Sequence, residues 1–113
     1  MPGPIEALCG LDRTVHEPAR LALLTVLDAC RDADFRLLVS ATGLPPGNVS
    51  SHLTKLEGAG LIEITKSFRG KRPHTRIRVL AAGRDALKHY WRCVDEARHT
   101  ADAWRAVEDP VRA

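Results

Sequence analysis

NVSSHLTKLEGAGLIE, residues 48–63, places apolar side chains at Val49, Leu53 and Leu56, the spacing of one buried helix face. Around that stripe stand Asn48, Ser50, Ser51, His52, Thr54 and Lys55, which are short polar groups and a cation. A helix that buries one stripe and offers small hydrogen-bonding groups on the other can lie in a DNA major groove. Gly58 and Gly60 stop the helix, and the chain turns into an alternating, strand-like segment.

Working upstream, Leu44-Pro45-Pro46-Gly47 is a tight connection, and Pro46 suits the first position of the helix that runs to about Gly58. Before it, Phe35–Thr42 reads as a short helix with Leu37, Leu38 and Ala41 inward, closed by Gly43. Asp32-Ala33-Asp34 breaks the preceding pattern and can cap that helix. Pro18–Cys30, entered through Glu17-Pro18, is apolar on most sides and is expected to be the central buried helix. Ile5–Leu11 is a candidate short helix after a loose arm at residues 1–4. Short helix, glycine turn and second helix form the helix-turn-helix plan.

Downstream, Leu61–Phe68 alternates with Ile62 and Ile64 on one face, and Thr75–Leu80 alternates with Ile77 and Val79 inward and Arg76 and Arg78 outward. Arg69–Pro73 is the turn between them, so the pair forms a basic hairpin, or wing. From Arg84 to about Glu108 runs a long helix. Leu87, Tyr90, Val94, Ala97, Ala101 and Trp104 recur along it at spacings of three and four, a heptad seam suited to pairing with a second copy.

Charge distribution says more than the net charge of +3: from Ile64 to Arg84 there is no acidic residue, but Lys66, Arg69, Lys71, Arg72, Arg76, Arg78 and Arg84 are all present. A one-sided basic block points to a polyanionic partner. The 113 residues fit one domain, and 44% apolar residues with only 4% aromatics imply a core of Leu, Val, Ile and Ala. No apolar run approaches bilayer length and the N-terminus has no signal-like pattern, so no membrane association and a cytoplasmic location are expected. Cys9, Cys30 and Cys93 are an odd, scattered set, which fits a reducing compartment better than a disulfide framework. Cys30 is expected in the core, with Cys9 and Cys93 more exposed.

V-S-x-H-L-x-x-L-E-x-x-G-L-I from Val49 to Ile62, the wing F-R-G-K-R-P-x-T and the closing V-L-x-x-G-R resemble small bacterial winged-helix transcriptional regulators related to the MarR and ArsR families. The resemblance spans about Leu11 to Tyr90. It implies an α+β, mainly α fold: a winged helix-turn-helix with a two-stranded β wing and a long C-terminal dimerisation helix. The expected layout is residues 1–10 as an arm or short helix, 11–82 as the DNA-binding part and 83–113 as the dimerisation helix and tail, all in one structural domain. It further implies a homodimeric regulator, a repressor in expectation, that recognises double-stranded DNA at a near-palindromic operator. Carried onto matching positions, the DNA-facing residues are Asn48, Ser50, Ser51, His52 and Lys55 on the helix and Arg69, Lys71 and Arg72 on the wing. The sequence departs from the family at Pro45 and at Ala81-Ala82, where capping residues are common.

The chemistry of these groups sorts them. Asn48, Ser51 and Lys55, spaced three and four apart, share a face and can reach base edges or phosphates. His52 lies one position off that face and can be packed instead, and Ser50 lies nearer the buried side. Arg69, Lys71 and Arg72 surround Gly70 and suit a narrow minor groove, whereas Arg76 and Arg78 suit phosphates.

Other readings are weaker on the residues. A metal sensor would draw on His89 and Cys93 or on Asp95, His99 and Asp102, but no C-x-C or C-x-x-C is present and no metal or other cofactor is expected. A thiol switch lacks any feature that would stabilise a thiolate. An enzyme would need a phosphate loop or a catalytic constellation, and neither can be picked out. A small-molecule effector could sit by Tyr90, Trp91 and Trp104, although dimer core is the preferred role for them. A winged helix that binds only proteins would not need the basic wing.

Overall fold

The computed structural model describes residues 3–106, and the chain's punctuation sets its helix starts. Helix α1 (Pro4–Cys9) begins at a proline, and so does α2 (Pro18–Cys30), whose N-cap Glu17 accepts the Arg20 N–H through its carboxylate. Asp34 caps α3 (Phe35–Thr42) by accepting from the Leu37 N–H at 2.7 Å. Gly43 closes α3 in the left-handed conformation, at φ 70°, which a side chain would resist. Helix α4 (Pro46–Gly58) starts at proline with no side-chain cap. The bounds of α2, α3 and α4 are those expected from the sequence. The end of the arm is different: α1 stops at Cys9, and Pro4 lies inside it.

Beyond α4 come β2 (Ile62–Arg69), β3 (Arg72–Val79) and α5 (Ala81–Ala106). The hairpin is longer than the alternation suggested. Arg69 pairs directly with Arg72, so the loop is only Gly70-Lys71, with Gly70 at φ 62°. A two-residue loop that begins on a glycine matches the twist of its strands. Pro73 is therefore a strand residue facing Phe68. It sits next to the closing hydrogen-bonded pair, so its nitrogen points away from β2. No third strand covers β3 there, and no ladder bond is lost.

The two-stranded wing expected from the sequence is part of a three-stranded antiparallel sheet completed by β1 (Asp32–Asp34), in the order β1-β3-β2. Strand β1 pairs with β3 through Asp32–Arg78, Ala33–Ile77 and Asp34–Arg76. The register puts Ala33, Ile62, Ile64, Ile77 and Val79 on the inner face, and Asp32, Asp34, Glu63, Arg69, Arg72, His74, Arg76 and Arg78 on the outer face.

The core lies between this inner face and the helices. Leu23, Leu24 and Leu27 of α2, Leu38 of α3, Val49, Leu53 and Leu56 of α4, and Leu87 and Tyr90 of α5 are all buried. On α3 the inward row is Phe35, Leu38, Val39 and Thr42, whereas Leu37 and Ala41, expected inward, are exposed. Of the cysteines, Cys9 is exposed as expected, but the expectation for Cys30 and Cys93 is reversed. Cys30 ends α2 facing outward, and Cys93 is buried in α5, along which α1 packs.

Helix α5 starts three residues earlier than expected, so the expected boundary between residues 82 and 83 falls inside it. Gly83, in its first turn, lies so close to the Leu61 carbonyl that no Cβ fits between them. The heptad seam is only partly free. Leu87 and Tyr90 belong to the chain's own core, and Ala97 is buried within the chain as well. Val94 and Ala101 are half-buried and Trp104 is 53% exposed. The helix's expected end, at about Glu108, lies outside the described residues.

Candidate nucleic-acid interface

Helix α4 buries Val49, Leu53 and Leu56, and that anchoring decides what its other face can offer. Asn48, Ser51 and Lys55 are exposed together on the outward side. Ser50 is exposed too, and its carbonyl accepts the Thr54 hydroxyl at 3.0 Å. Ser50 and Thr54 border a groove of about 240 Å³ between α4 and the wing, completed by Phe35, Leu53, Ile64, Lys66 and Thr75. Lys66 and Thr54 were not among the residues assigned to the interface from sequence. The inner-face alternation of β2 points Lys66 back towards α4, a signal present in the strand register but easily lost in a run of cations.

His52 is the residue the structure withdraws from the free surface. Its Nδ1 lies 3.2 Å from Arg20 Nη1 and 3.6 Å from Glu17 Oε2, and its side chain is 20% exposed. In the neutral ring His52 Nδ1 accepts from the arginine, which can only donate; in the protonated ring the same nitrogen donates towards Glu17. The same guanidinium donates to the Thr14 carbonyl at 2.6 Å and the Arg13 carbonyl at 3.1 Å. One side chain of α2 thus ties the loop before α2 to α4. Burial raises the Glu17 carboxyl, but the Arg20 and Ala19 backbone N–H groups and the charges of His52 and Arg20 lower it by more, leaving it below the ordinary carboxylate range. Next to Glu17, His16 Nδ1 and the Tyr90 hydroxyl are 2.9 Å apart, which joins the same loop to α5.

The wing's cations divide by position. At its base, Arg76 meets Asp32 at 2.7 Å, Arg78 meets Glu63 at 3.3 Å, and Arg84 beyond the sheet meets Asp28 at 3.6 Å. Towards the tip, Lys66, Arg69, Lys71 and Arg72 have no acidic partner among the described residues. All four are exposed. Strand β1, which the sequence reading missed, supplies the Asp32 that occupies Arg76. Uncompensated positive charge is therefore concentrated at the end of the hairpin, beside the polar face of α4. Phe68, also near the tip, is 73% exposed.

Residues 19–97 match the family described as Winged helix DNA-binding domain. The chain belongs to that family. The uncharacterized protein MJ0432 of Methanocaldococcus jannaschii is 40% identical over 70 residues, which cover 62% of this chain and 73% of that one. The structure of a transcriptional regulator homologue from Pyrococcus horikoshii superposes with a TM-score of 0.79 at 26% identity, covering 86% of this chain and 98% of the other. A MarR family transcriptional regulator from Silicibacter pomeroyi shares the fold at TM-score 0.59 and 20% identity, covering 87% of this chain and 63% of its own. The winged helix reading of the sequence is thus met in the family, and its likeness to MarR-type regulators in the fold. By family the chain is a winged helix DNA-binding protein, not an enzyme, and in fold it is similar to transcriptional regulators. No described helix is long and apolar enough to cross a membrane.

Proposed function

We propose that this winged helix binds duplex DNA sequence-specifically as a homodimer on a near-palindromic operator, and represses by occupying it. The observation that carries the reading is the pairing of two surfaces. The outward face of α4 is polar and small, and the neighbouring wing tip holds four cations without acidic partners. Asn48, Ser51 and Lys55 have the donors and acceptors to reach base edges in the major groove, with Ser50 and Thr54 at the flank. Arg69, Lys71 and Arg72 enter the adjacent minor groove, and Lys66 meets the phosphate wall between. Arg76 and Arg78 sit further from the tip with carboxylates already beside them, so their share of the binding energy is small. His52 acts on α4 from behind and does not touch DNA.

Homodimerisation is supported by the apolar surface that α5 and α1 leave uncovered. Trp91 is 43% exposed, Trp104 53% and Leu8 37%, with Val94 and Ala101 half-buried alongside. Large exposed aromatics are uncommon on a lone soluble chain and suit a twofold contact. Two reading heads related by that axis would sit about one helical turn apart on the duplex, on the order of 34 Å.

Selection of bound duplexes from a random pool tests this. The expected product is an inverted repeat with half-sites about 10 base pairs apart. Asn48→Ala and Ser51→Ala are expected to change the preferred bases, at about 1–3 kcal/mol of discrimination each. Arg72→Ala is expected to weaken binding to all sequences alike. Recovery of unpaired single half-sites, or equal effects of all three variants on selected and random DNA, would contradict the reading.

A further inference from the structure

On the outer face of the wing, the basic surface of the tip continues into a second feature that reaches α3. Between the start of α3 and this face lies an open cleft of about 600 Å³, lined by Asp34, Arg36, Arg69, Arg72, Pro73 and His74. Its chemistry is lopsided. Three guanidinium groups border it, from three different elements, and none has an acidic partner among the described residues. Its one carboxylate, Asp34, is already engaged as the N-cap of α3, accepting from the Leu37 N–H. The floor holds an unmet polar atom as well: the Nε2 of His74 is buried with no hydrogen-bond partner. Three guanidinium groups against one carboxylate leave an excess of positive charge that is most stable when an anion joins them, and the planar N–H forks of arginine match phosphate oxygens.

We propose that this cleft holds a phosphate of the DNA backbone, with Arg36 of α3 closing a site that Arg69 and Arg72 begin. The inference rests on the DNA-binding reading and extends it. It adds α3 as a third element that touches the duplex, after α4 and the wing tip. The phosphate lies on the side of the wing facing away from α4, so the two faces of the hairpin grip opposite walls of one minor groove. Lys66 serves the inner wall and the Arg36 cleft the outer. No base is contacted, so the site adds affinity without sequence preference. Asp34 tempers the charge and fixes where α3 begins, which sets the position of Arg36 two residues on. Arg36 is exposed, and alanine at an exposed position in the first turn of a helix leaves the fold in place.

The test is fluorescence anisotropy with a mixed-sequence duplex of about 30 base pairs, read across a salt series, for the wild-type chain, Arg36→Ala, Arg36→Lys and Arg98→Ala. Arg98 lies on α5 beside Asp95 and serves as a remote control. Circular dichroism of each variant checks the fold. Arg36→Ala is expected to bind about five- to tenfold more weakly at moderate salt, with the slope of log K against log salt reduced by about 1. Arg36→Lys is expected to recover the slope and part of the affinity, and Arg98→Ala to match wild type. If wild type binds and Arg36→Ala keeps its affinity and slope, the cleft is not a phosphate site, while the DNA-binding reading stands. If Arg98→Ala loses as much as Arg36→Ala, the effect is net charge alone and the proposal falls. If wild type itself fails to bind, the DNA-binding reading fails and takes the cleft with it.

Discussion

Arg20 and Glu17 show how single side chains place the reading helix. The Arg20 guanidinium is shared by two backbone carbonyls and His52, and Glu17 both caps α2 and lies beside that ring. The Glu17 carboxyl is held below its ordinary value, so folding is favoured by its ionised form. That contribution is present above the unfolded-state value of about 4 and is lost as pH falls through the lower folded-state value. Glu17→Gln is therefore expected to cost roughly 0.5–1 kcal/mol at pH 7. Urea unfolding at pH 7 and near pH 3 checks this: the gap between the two proteins should close on acidification. These contacts were only half legible. The sequence shows His52 one position off the polar face, but its partners lie 32 and 35 residues away in the chain, and nothing local announces them. Cys30 and Cys93 were misplaced for a related reason: a cysteine at a helix end or on a helix side is buried only by what packs there, and the docking of α1 on α5 is a tertiary fact.

Among the elements, the helices were the most readable part. Pro18, Pro46, Asp34 and Gly43 each have a fixed place in helix geometry, so α2, α3 and α4 have the bounds their punctuation implies. Strand β1 was not readable as a strand, because three residues carry too little alternation and Asp-Ala-Asp has the chemistry of a cap. It does both jobs, pairing with β3 while Asp34 caps α3. The wing was seen but shortened, since Pro73 looks like a turn residue unless its open side on β3 is known. The start of α5 makes a sharper demand. Gly83 packs against the Leu61 carbonyl and Val79, locking the helix to the end of β3. Gly83→Ala would gain helix propensity, yet it is expected to destabilise by about 1–3 kcal/mol, because backbone must move to admit the methyl group. Urea denaturation measures it, and unchanged or raised stability would show that the approach of α5 to Leu61 is looser than described.

In the whole molecule, uncompensated positive charge gathers on the wing and α4, while α5 and α1 carry exposed tryptophans and a leucine; Phe68 at the wing tip and Leu37 on α3 stand apart from that division. The wing base is neutralised by Asp32 and Glu63. The sequence already showed the basic block, and the strand register was needed to see which of its members are spoken for. The heptad seam was legible as a pattern, but Leu87 and Tyr90 turned out to serve the chain's own core. An a/d repeat does not say whether its partner is the same chain or another. The most direct test of the central claim is equilibrium binding of the purified chain to duplex DNA as a function of salt. Lys55, Lys66, Arg69, Lys71 and Arg72 facing phosphates or grooves predict tight binding at low salt and a log–log slope of about −4.5 per chain, at close to −0.9 for each neutralised phosphate. Absence of binding at low salt, or an affinity that does not change with salt, would contradict the account.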